Sequence, residues 1–324
     1  MKMTALVQEG YGSPEVLHLR QIEKPAVTEN GVLIAVHAAS VNASDYHYMH
    51  GILPIRVMAG LRRPRGSGVR GFDVAGVVEA VGPSVREFKP GDEVFGFAGG
   101  SFADFALADP GKLALKPRRL SFEEAAAVPG AASTALQGLR DTARVAPGES
   151  VAIFGAGGGV GTFAVQIARG LGARVTAVTS TDNMGIVSAL EPDELIDYSV
   201  EDVTKGPPRF GVFFDVAATL PIADCVRVLL PGGRLVIAGA AKGGVLHLAR
   251  RLGNAYLRSH LRHERVTTYL ARVNHDDLVV LANMIDAGQL RPVIDRVYPL
   301  REAAAAMAYV ATGHARAKVV IGVA

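Results

Sequence analysis

At 324 residues the chain is longer than one hydrophobic core usually supports, so two domains of ordinary size are expected. With 49% hydrophobic and 20% charged residues it is too apolar for a disordered chain, and a formal charge of +3 is too small to imply a specific nucleic-acid partner, although a pI near 9.0 leaves weak anion attraction open. No secretory-type apolar core follows the start and no uninterrupted apolar run is long enough to span a bilayer, which makes the cytoplasm the default; the single cysteine, Cys225, excludes an internal disulfide and a four-cysteine zinc site.

In chain order, the first hundred or so residues carry short alternating segments, "VLIAVHAAS", "DVAGVVEAVG" and "ADFALA", broken by Gly and Pro pairs as in "KPGDEV". That is an all-β texture. From about Ser121 it changes: "SVAIFG", "ARVTAVTS", "ELIDY", "VFFDVA" and "RLVIAGA" are apolar strands separated by stretches of helical period. Alternation of strand and helix implies a parallel sheet covered on both faces. A strand-like "RVTTYLARV", a helix from about Asp276 to Ala287 and a closing strand "AKVVIGVA" complete the chain, with no internal repeat or linker.

Five glycines crowd the segment "AIFGAGGGVGTFA", between a buried strand and a helix that places Val160, Ala164, Ile167 and Leu171 on one face, with Gly172 as its stop. Strand, glycine loop and helix form a phosphate-binding arrangement, because the backbone turns sharply and a pyrophosphate approaches free N–H groups at the positive helix end. Against G-x-G-x-x-G the match is imperfect: Gly161 and Gly158 fit, but Ala156 replaces the first glycine unless Gly155 takes its role. The candidate cradle is therefore Gly155, Ala156, Gly157, Gly158, Gly159, Val160 and Gly161. A site for NAD usually carries an acid at the end of the second strand; here Thr179 and Ser180 stand there, which removes repulsion of a 2′-phosphate and favours NADP(H). Asp182 opposes that preference if it turns inward and does not if it is a solvated turn residue.

The segments "AASVNASDYHYMHG", "GFDVAGVVEAVGPSVREFKPGDEVFG", "AAAVPGAASTALQGL", "GAGGGVGTFAVQIARGLGA", "VFFDVA", "GGRLVIAGA" and "GHARAKVVI" occur in the order and spacing of a known family. End to end, the chain resembles the zinc-independent quinone oxidoreductase branch of the medium-chain dehydrogenase/reductase superfamily. "GLRRP" at Gly60 to Pro64 and "LRPVIDRVYPL" at Leu290 to Leu300 look closest to the subgroup of the mitochondrial reticulon-4-interacting protein. The resemblance implies an α/β chain: a GroES-like β-rich catalytic domain from residues 1–124 and 266–324, a Rossmann doubly wound parallel-sheet cofactor domain over 125–265, and a reducing site in the cleft. It also implies a homodimer. Among cofactor contacts it implies Thr134 near the nicotinamide, Tyr198 near the adenosine phosphate, Val216, Ala217, Ala238, Gly239 and Ala240 at strand carboxyl ends, and Arg316 and Lys318 in the tail. For each of these, ordinary packing is the competing reading.

In zinc-dependent relatives the first metal ligand is a Cys that falls at Asn42, and a Gly-His-Glu segment falls at Gly71, Phe72 and Asp73, so both ligand positions are lost here. A makeshift site from His47, His50 and Asp45 is the remaining metal reading. Without a Lewis acid, simple alcohol oxidation is disfavoured, and an activated acceptor, a quinone or an α,β-unsaturated carbonyl, fits better. Such a reaction needs positioning and hydrogen-bond donors where negative charge grows on oxygen. Asn42 is the first candidate donor and Tyr46 the second, with Asp45 beside them; an Asx turn for Asn42 and a cap for Asp45 are equally open. The competing functions are a non-catalytic NADPH-binding protein of the crystallin or RNA-binding kind and an NAD(H)-linked alcohol dehydrogenase. Three departures from the relatives weaken NADPH binding: "STDN" with Asp182 in place of an Arg, "LEPD" at Leu190 to Asp193, and no serine in the glycine loop.

In "LARRLGNAYLRSHLRHERV", Arg251, Arg258, Arg262 and Arg265 recur at near-helical spacing, with Leu252, Leu257 and Leu261 between them. A solvated or oligomer-edge helix is one reading of this stretch, which runs from Arg250 to Arg265. Weak contact with an anionic membrane surface is the other.

Overall fold

A computed structural model of the chain describes residues 1–64, 68–238, 253 and 265–323. Strands β1 (Lys2–Gln8), β2 (Leu17–Glu23) and β3 (Val32–Val41) lead to helices α1 (Ala43–His50) and α2 (Leu53–Ala59), and strands β4 (Asp73–Val81), β5 (Glu93–Phe97), β6 (Phe105–Ala108) and β7 (Leu113–Leu115) follow. Helices α3 (Phe122–Ala126) and α4 (Pro129–Leu136) come next, then β8 (Ser150–Phe154), α5 (Gly159–Gly170), β9 (Arg174–Thr179), α6 (Met184–Ser188), β10 (Glu194–Asp197), β11 (Phe210–Asp215), α7 (Ile222–Arg227), β12 (Leu229–Ile237) and β13 (Arg265–Thr268). The chain closes with α8 (His275–Asp286), β14 (Ile294–Pro299), α9 (Ala303–Thr312) and β15 (Lys318–Gly322). By contacts it divides into two units, Met1–Ser133 with Val273–Ala324, and Thr134–Arg272. These divides lie a little further along the chain than the expected bounds at 124 and 265.

The first unit is built on a sheet ordered β14-β15-β3-β4-β5-β7, with β6 also paired to β3, and a separate β1-β2 ribbon. Except for the parallel β14-β15 pair, its strands run antiparallel, as the alternating segments imply. Val32, Ile34, Val36, Val74, Val78 and Val94 fill the core on one part of this sheet; Ala39, Val41, Val319 and Ile321 pack with Met49 and Met307 on another. Registers bring polar residues together: Ser40 pairs Asp73 across β3 and β4, and Val319 pairs Val41 across β15 and β3. Continued one step, the second register sets Lys318 opposite Asn42.

The second unit is a sheet ordered β10-β9-β8-β11-β12-β13, with every pairing parallel. This is the doubly wound order, in which the strand sequence reverses between β8 and β11 and ligands bind outside the carboxyl ends at that switch point. Phe213 and Phe214 of β11 and Phe163 of α5 are fully buried in it. The expected strand "RVTTYLARV" is shorter than its apolar run suggests, ending at Thr268. Gly239, Ala240 and, Gly253 apart, the basic stretch as far as Glu264 lie outside the described residues. Among the described residues, no helix is long and apolar enough to cross a membrane.

Candidate functional site

In the second unit the glycine loop joins β8 to α5. Gly155 adopts φ +88°, and the N–H groups of Gly155 and Ala156 both bond the Val178 carbonyl at 3.0 Å. Gly155 therefore takes the left-handed position, and Ala156 is buried where the motif has its first glycine. A Cβ on Gly161 would lie 2.1 Å from the Gly155 carbonyl oxygen, so the helix start rests on the loop only because no side chain intervenes. The N–H groups of Gly159, Val160 and Gly161, in the first turn of α5, have no intrahelical acceptor, and the helix presents its positive end there.

The neighbouring strand ends close around this loop. Val216 donates its N–H to Phe154 O at 3.0 Å, and Ala238 to Asp215 O at 3.0 Å. A Cβ built on Gly155 would touch Ala217 Cβ at 3.2 Å. Thr179, 2% exposed, accepts at its carbonyl from the Tyr198 N–H at 3.0 Å, and the Tyr198 ring stands 5.8 Å from that of Phe154. Ser180 Oγ accepts from Asn183 Nδ2 at 3.2 Å, whereas Asp182 is exposed. Asn183 lies against Gly157, and its Oδ1 is buried with no hydrogen-bond partner. A nicotinamide dinucleotide fits this set: a pyrophosphate suits the open N–H groups, and a ribose hydroxyl is a donor of the kind Asn183 Oδ1 lacks.

Sequence reasoning missed Tyr269. Its phenol donates to the Thr134 carbonyl, and burial holds its pKa well above the ordinary value, so it remains a donor. Its hydroxyl also fills the space where a Gly138 side chain would project, next to a π-helical turn at Gln137–Thr142. The tyrosine near the end of "RVTTY" was the only available signal.

In the first unit, the two registers gather Ser40, Asn42, Asp73 and Lys318. The Lys318 ammonium donates to Asn42 Oδ1 at 2.6 Å and lies 3.6 Å from Asp73 Oδ2. Asn42 Nδ2 donates to Asp73 Oδ2 at 2.9 Å, as does Ser40 Oγ at 3.1 Å, while the Gly130 N–H reaches Asp73 Oδ1 at 3.1 Å. Lys318 is 2% exposed, and burial lowers its pKa against the opposing pull of Asp73 and Asp45. Asp45 Oδ2 accepts from the Asn42 N–H at 2.8 Å, capping α1, while its Oδ1 is buried without a partner. Burial, helped by the neighbouring Asp73 carboxylate, pushes the Asp45 pKa up to about 7 against the Asn42 N–H, Lys318 and Arg70.

Three further candidates have these places in the first unit. Asp45, placed among the catalytic candidates, is 0% exposed and caps α1 through the Asn42 N–H. Lys318, expected at the cofactor, is buried in the first unit and directs its ammonium to Asn42 and Asp73. Arg316, grouped with it, belongs to the same unit and donates its N–H to Asp295 Oδ2 at 2.9 Å. Tyr46, on α1 with Asn42 as N-cap, is half-buried with its ring 4.1 Å from that of His50.

A zinc ion does not suit these residues. Phe72, where the resemblance implies a ligand in zinc-dependent relatives, stacks on Phe97 at 5.1 Å, and a buried ammonium already lies beside Asn42 and Asp73. For the makeshift set, Asp45 is fully buried with its Oδ2 on the Asn42 N–H, and His50 Nδ1 faces the Tyr46 carbonyl at 3.3 Å. Among the described residues, no three His, Cys, Asp or Glu side chains gather as metal ligands do.

Comparison with known proteins places this geometry in context. Residues 28–118 match the family model described as an alcohol dehydrogenase GroES-like domain, and residues 190–321 the one described as a zinc-binding dehydrogenase. An NADPH-dependent alkenal/one oxidoreductase, chloroplastic, from Arabidopsis thaliana is 32% identical, over 99% of this chain and 79% of that protein. The mitochondrial NAD(P)H oxidoreductase RTN4IP1 of Mus musculus is 32% identical over 99% of this chain and 89% of its own length. The structure of the quinone oxidoreductase from Coxiella burnetii superposes with a TM-score of 0.86 at 28% identity, covering 100% of both chains. The chain belongs to the medium-chain dehydrogenase/reductase superfamily, with the quinone and alkenal/one oxidoreductases as its relatives, and is an oxidoreductase.

Proposed function

We propose that this protein is a metal-free, NADPH-dependent reductase of quinones or α,β-unsaturated carbonyls. The observations that carry the reading are a glycine-rich dinucleotide cradle at the β8/β11 switch point and a buried ammonium beside Asn42 and Asp73, where the resemblance sets zinc ligands. When bound, the nicotinamide supplies hydride. The loop Gly155 to Gly161 would hold the pyrophosphate through the open N–H groups of Gly159, Val160 and Gly161, and Thr134, Val216, Ala217 and Ala238 would position the rest of the cofactor. Asn42 donates a hydrogen bond to the acceptor oxygen as its negative charge grows, Tyr46 is the second donor, and water supplies the final proton.

The absence of an acid at the end of β9 favours NADPH, with the hydroxyls of Thr179 and Ser180 near the 2′-phosphate. The exposed carboxylate of Asp182 moderates that preference without abolishing it. The cytoplasm and a homodimer complete this reading, as expectations of sequence and family. The test is absorbance at the reduced-nicotinamide band with NADPH or NADH, a small quinone or an alkenal, and a chelator throughout. NADPH consumption insensitive to chelator is expected; loss of turnover on chelation, or turnover with NADH alone, overturns the corresponding part of the reading.

A further inference from the structure

We propose that Lys318 is a positioning residue: its buried ammonium fixes the Asn42 carboxamide in one orientation and polarises it, so that Asn42 faces the acceptor as a hydrogen-bond donor. The inference rests on the reductase reading and goes beyond it, because it assigns the buried cation at the former zinc-ligand positions a task in the reaction.

A carboxamide has an acceptor end and a donor end of almost the same shape, and nothing intrinsic to Asn42 selects which end faces a substrate. Its two neighbours make the selection. Lysine only donates, so the atom 2.6 Å from Lys318 Nζ is the carbonyl oxygen. The Asp73 carboxylate only accepts, so the atom 2.9 Å from its Oδ2 is Nδ2. Reversal would place an N–H against an ammonium and an oxygen against a carboxylate, losing both charge-assisted bonds at once. Nδ2 carries two hydrogens and gives one to Asp73, which leaves one N–H on a half-buried residue for a ligand.

The Lys318 bond also strengthens that donor. A cation on the carbonyl oxygen draws electron density from the amide nitrogen, and in a low-dielectric surrounding such chains of bonds reinforce one another. Asp73 is in turn held by Ser40 and by the Gly130 N–H, and the Asn42 backbone is held by Asp45, so the amide is fixed from both sides. A lysine here thus supplies the fixed positive charge that the lost ligands would otherwise have recruited as a metal, and it is fully enclosed by the protein.

The test combines Lys318→Met, Asn42→Ala and their double variant, read by kcat with an alkenal or quinone and by NADPH binding from nicotinamide fluorescence. The expected result is a fall in kcat of about 10- to 100-fold for Lys318→Met with cofactor affinity unchanged, and a double variant no slower than Asn42→Ala alone. Weakened NADPH binding by Lys318→Met, with effects that add to those of Asn42→Ala, overturns the proposal in favour of a direct cofactor contact. Because Lys318→Met leaves buried carboxylates without their cation, Lys318→Met/Asp73→Asn measured against Asp73→Asn supplies a charge-balanced form if the single variant fails to fold. A second readout needs no turnover: the Asn42 side-chain amide proton bonded to Asp73, followed by 15N-resolved NMR, is protected from exchange in the wild type and loses that protection in Lys318→Met. Unchanged protection of that proton in Lys318→Met overturns the proposal. A wild type that turns over neither acceptor defeats the reductase reading, and the NMR result still decides the orientation of the amide.

Discussion

Replacing Asp45 by Asn should change how stability depends on pH, with a sign that the structure determines. The carboxyl is fully buried, one oxygen is without a partner, and its pKa is pushed up to about 7 from the ordinary 3.8. Because the folded state holds this proton more tightly than the unfolded chain, the contribution to stability is fully present below about pH 4. It is lost progressively as pH rises from about 4 to 7 and is constant above the folded value. Three pH units correspond to roughly 4 kcal/mol in all, about 2 to 3 of which fall between pH 5 and 8. Asn keeps an oxygen for the Asn42 N–H and has no proton to lose. The assay is urea unfolding of wild type and Asp45→Asn at pH 5 and pH 8: Asp45→Asn should gain roughly 2 to 3 kcal/mol relative to wild type on going to the higher pH. Taking the difference cancels residues such as Glu149 and Asp202, whose lowered pKa values act in the opposite direction and are common to both proteins. Parallel profiles would refute the reasoning, since they would mean that Asp45 titrates alike in the folded and unfolded states.

The remaining predictions concern catalysis and cofactor binding. Asn42→Ala removes the donor and should lower kcat about 100-fold or more, leaving NADPH affinity from fluorescence titration unchanged. Gly161→Ala places a methyl group 2.1 Å from the Gly155 carbonyl oxygen and should weaken NADPH binding at least about tenfold by the same titration. Asp182→Arg puts a cation beside the expected 2′-phosphate and should raise the NADPH/NADH ratio of kcat/KM roughly tenfold; a ratio that does not move excludes this turn from the phosphate site. Tyr269→Phe removes the donor to the Thr134 carbonyl and should cost about 1 kcal/mol of stability in urea unfolding.

Periodicity and turn chemistry made much of the fold legible. "SVAIFG" and the glycines after it mark β8 and the start of α5, and the "VFFDVA" run marks β11, so the switch point could be anticipated before any coordinates. α2 was harder to read, because no apolar period runs through residues 50 to 69; its only signals are a proline in the first turn and Gly60 at its end. The candidate site was half legible. Asn42, Asp45 and Tyr46 lie within one short segment, and their spacing around the start of α1 shows that they share a helix end. The partnership of Asn42 with Lys318 spans 276 residues and arises only from strand register, which no local pattern reports. The lysine opening the apolar strand "AKVVIGVA" was the available clue, since an ammonium seldom enters such a strand without a partner.

The central claim is direct hydride transfer to an activated acceptor, and isotope transfer tests it most directly. NADPH deuterated at the transferable C4 position, incubated with an alkenal and the chelator-treated protein, should give a saturated aldehyde with one deuterium at the β-carbon and a solvent proton at the α-carbon, read by mass spectrometry and NMR. Product without deuterium at the β-carbon, or deuterium released to water, would contradict the account.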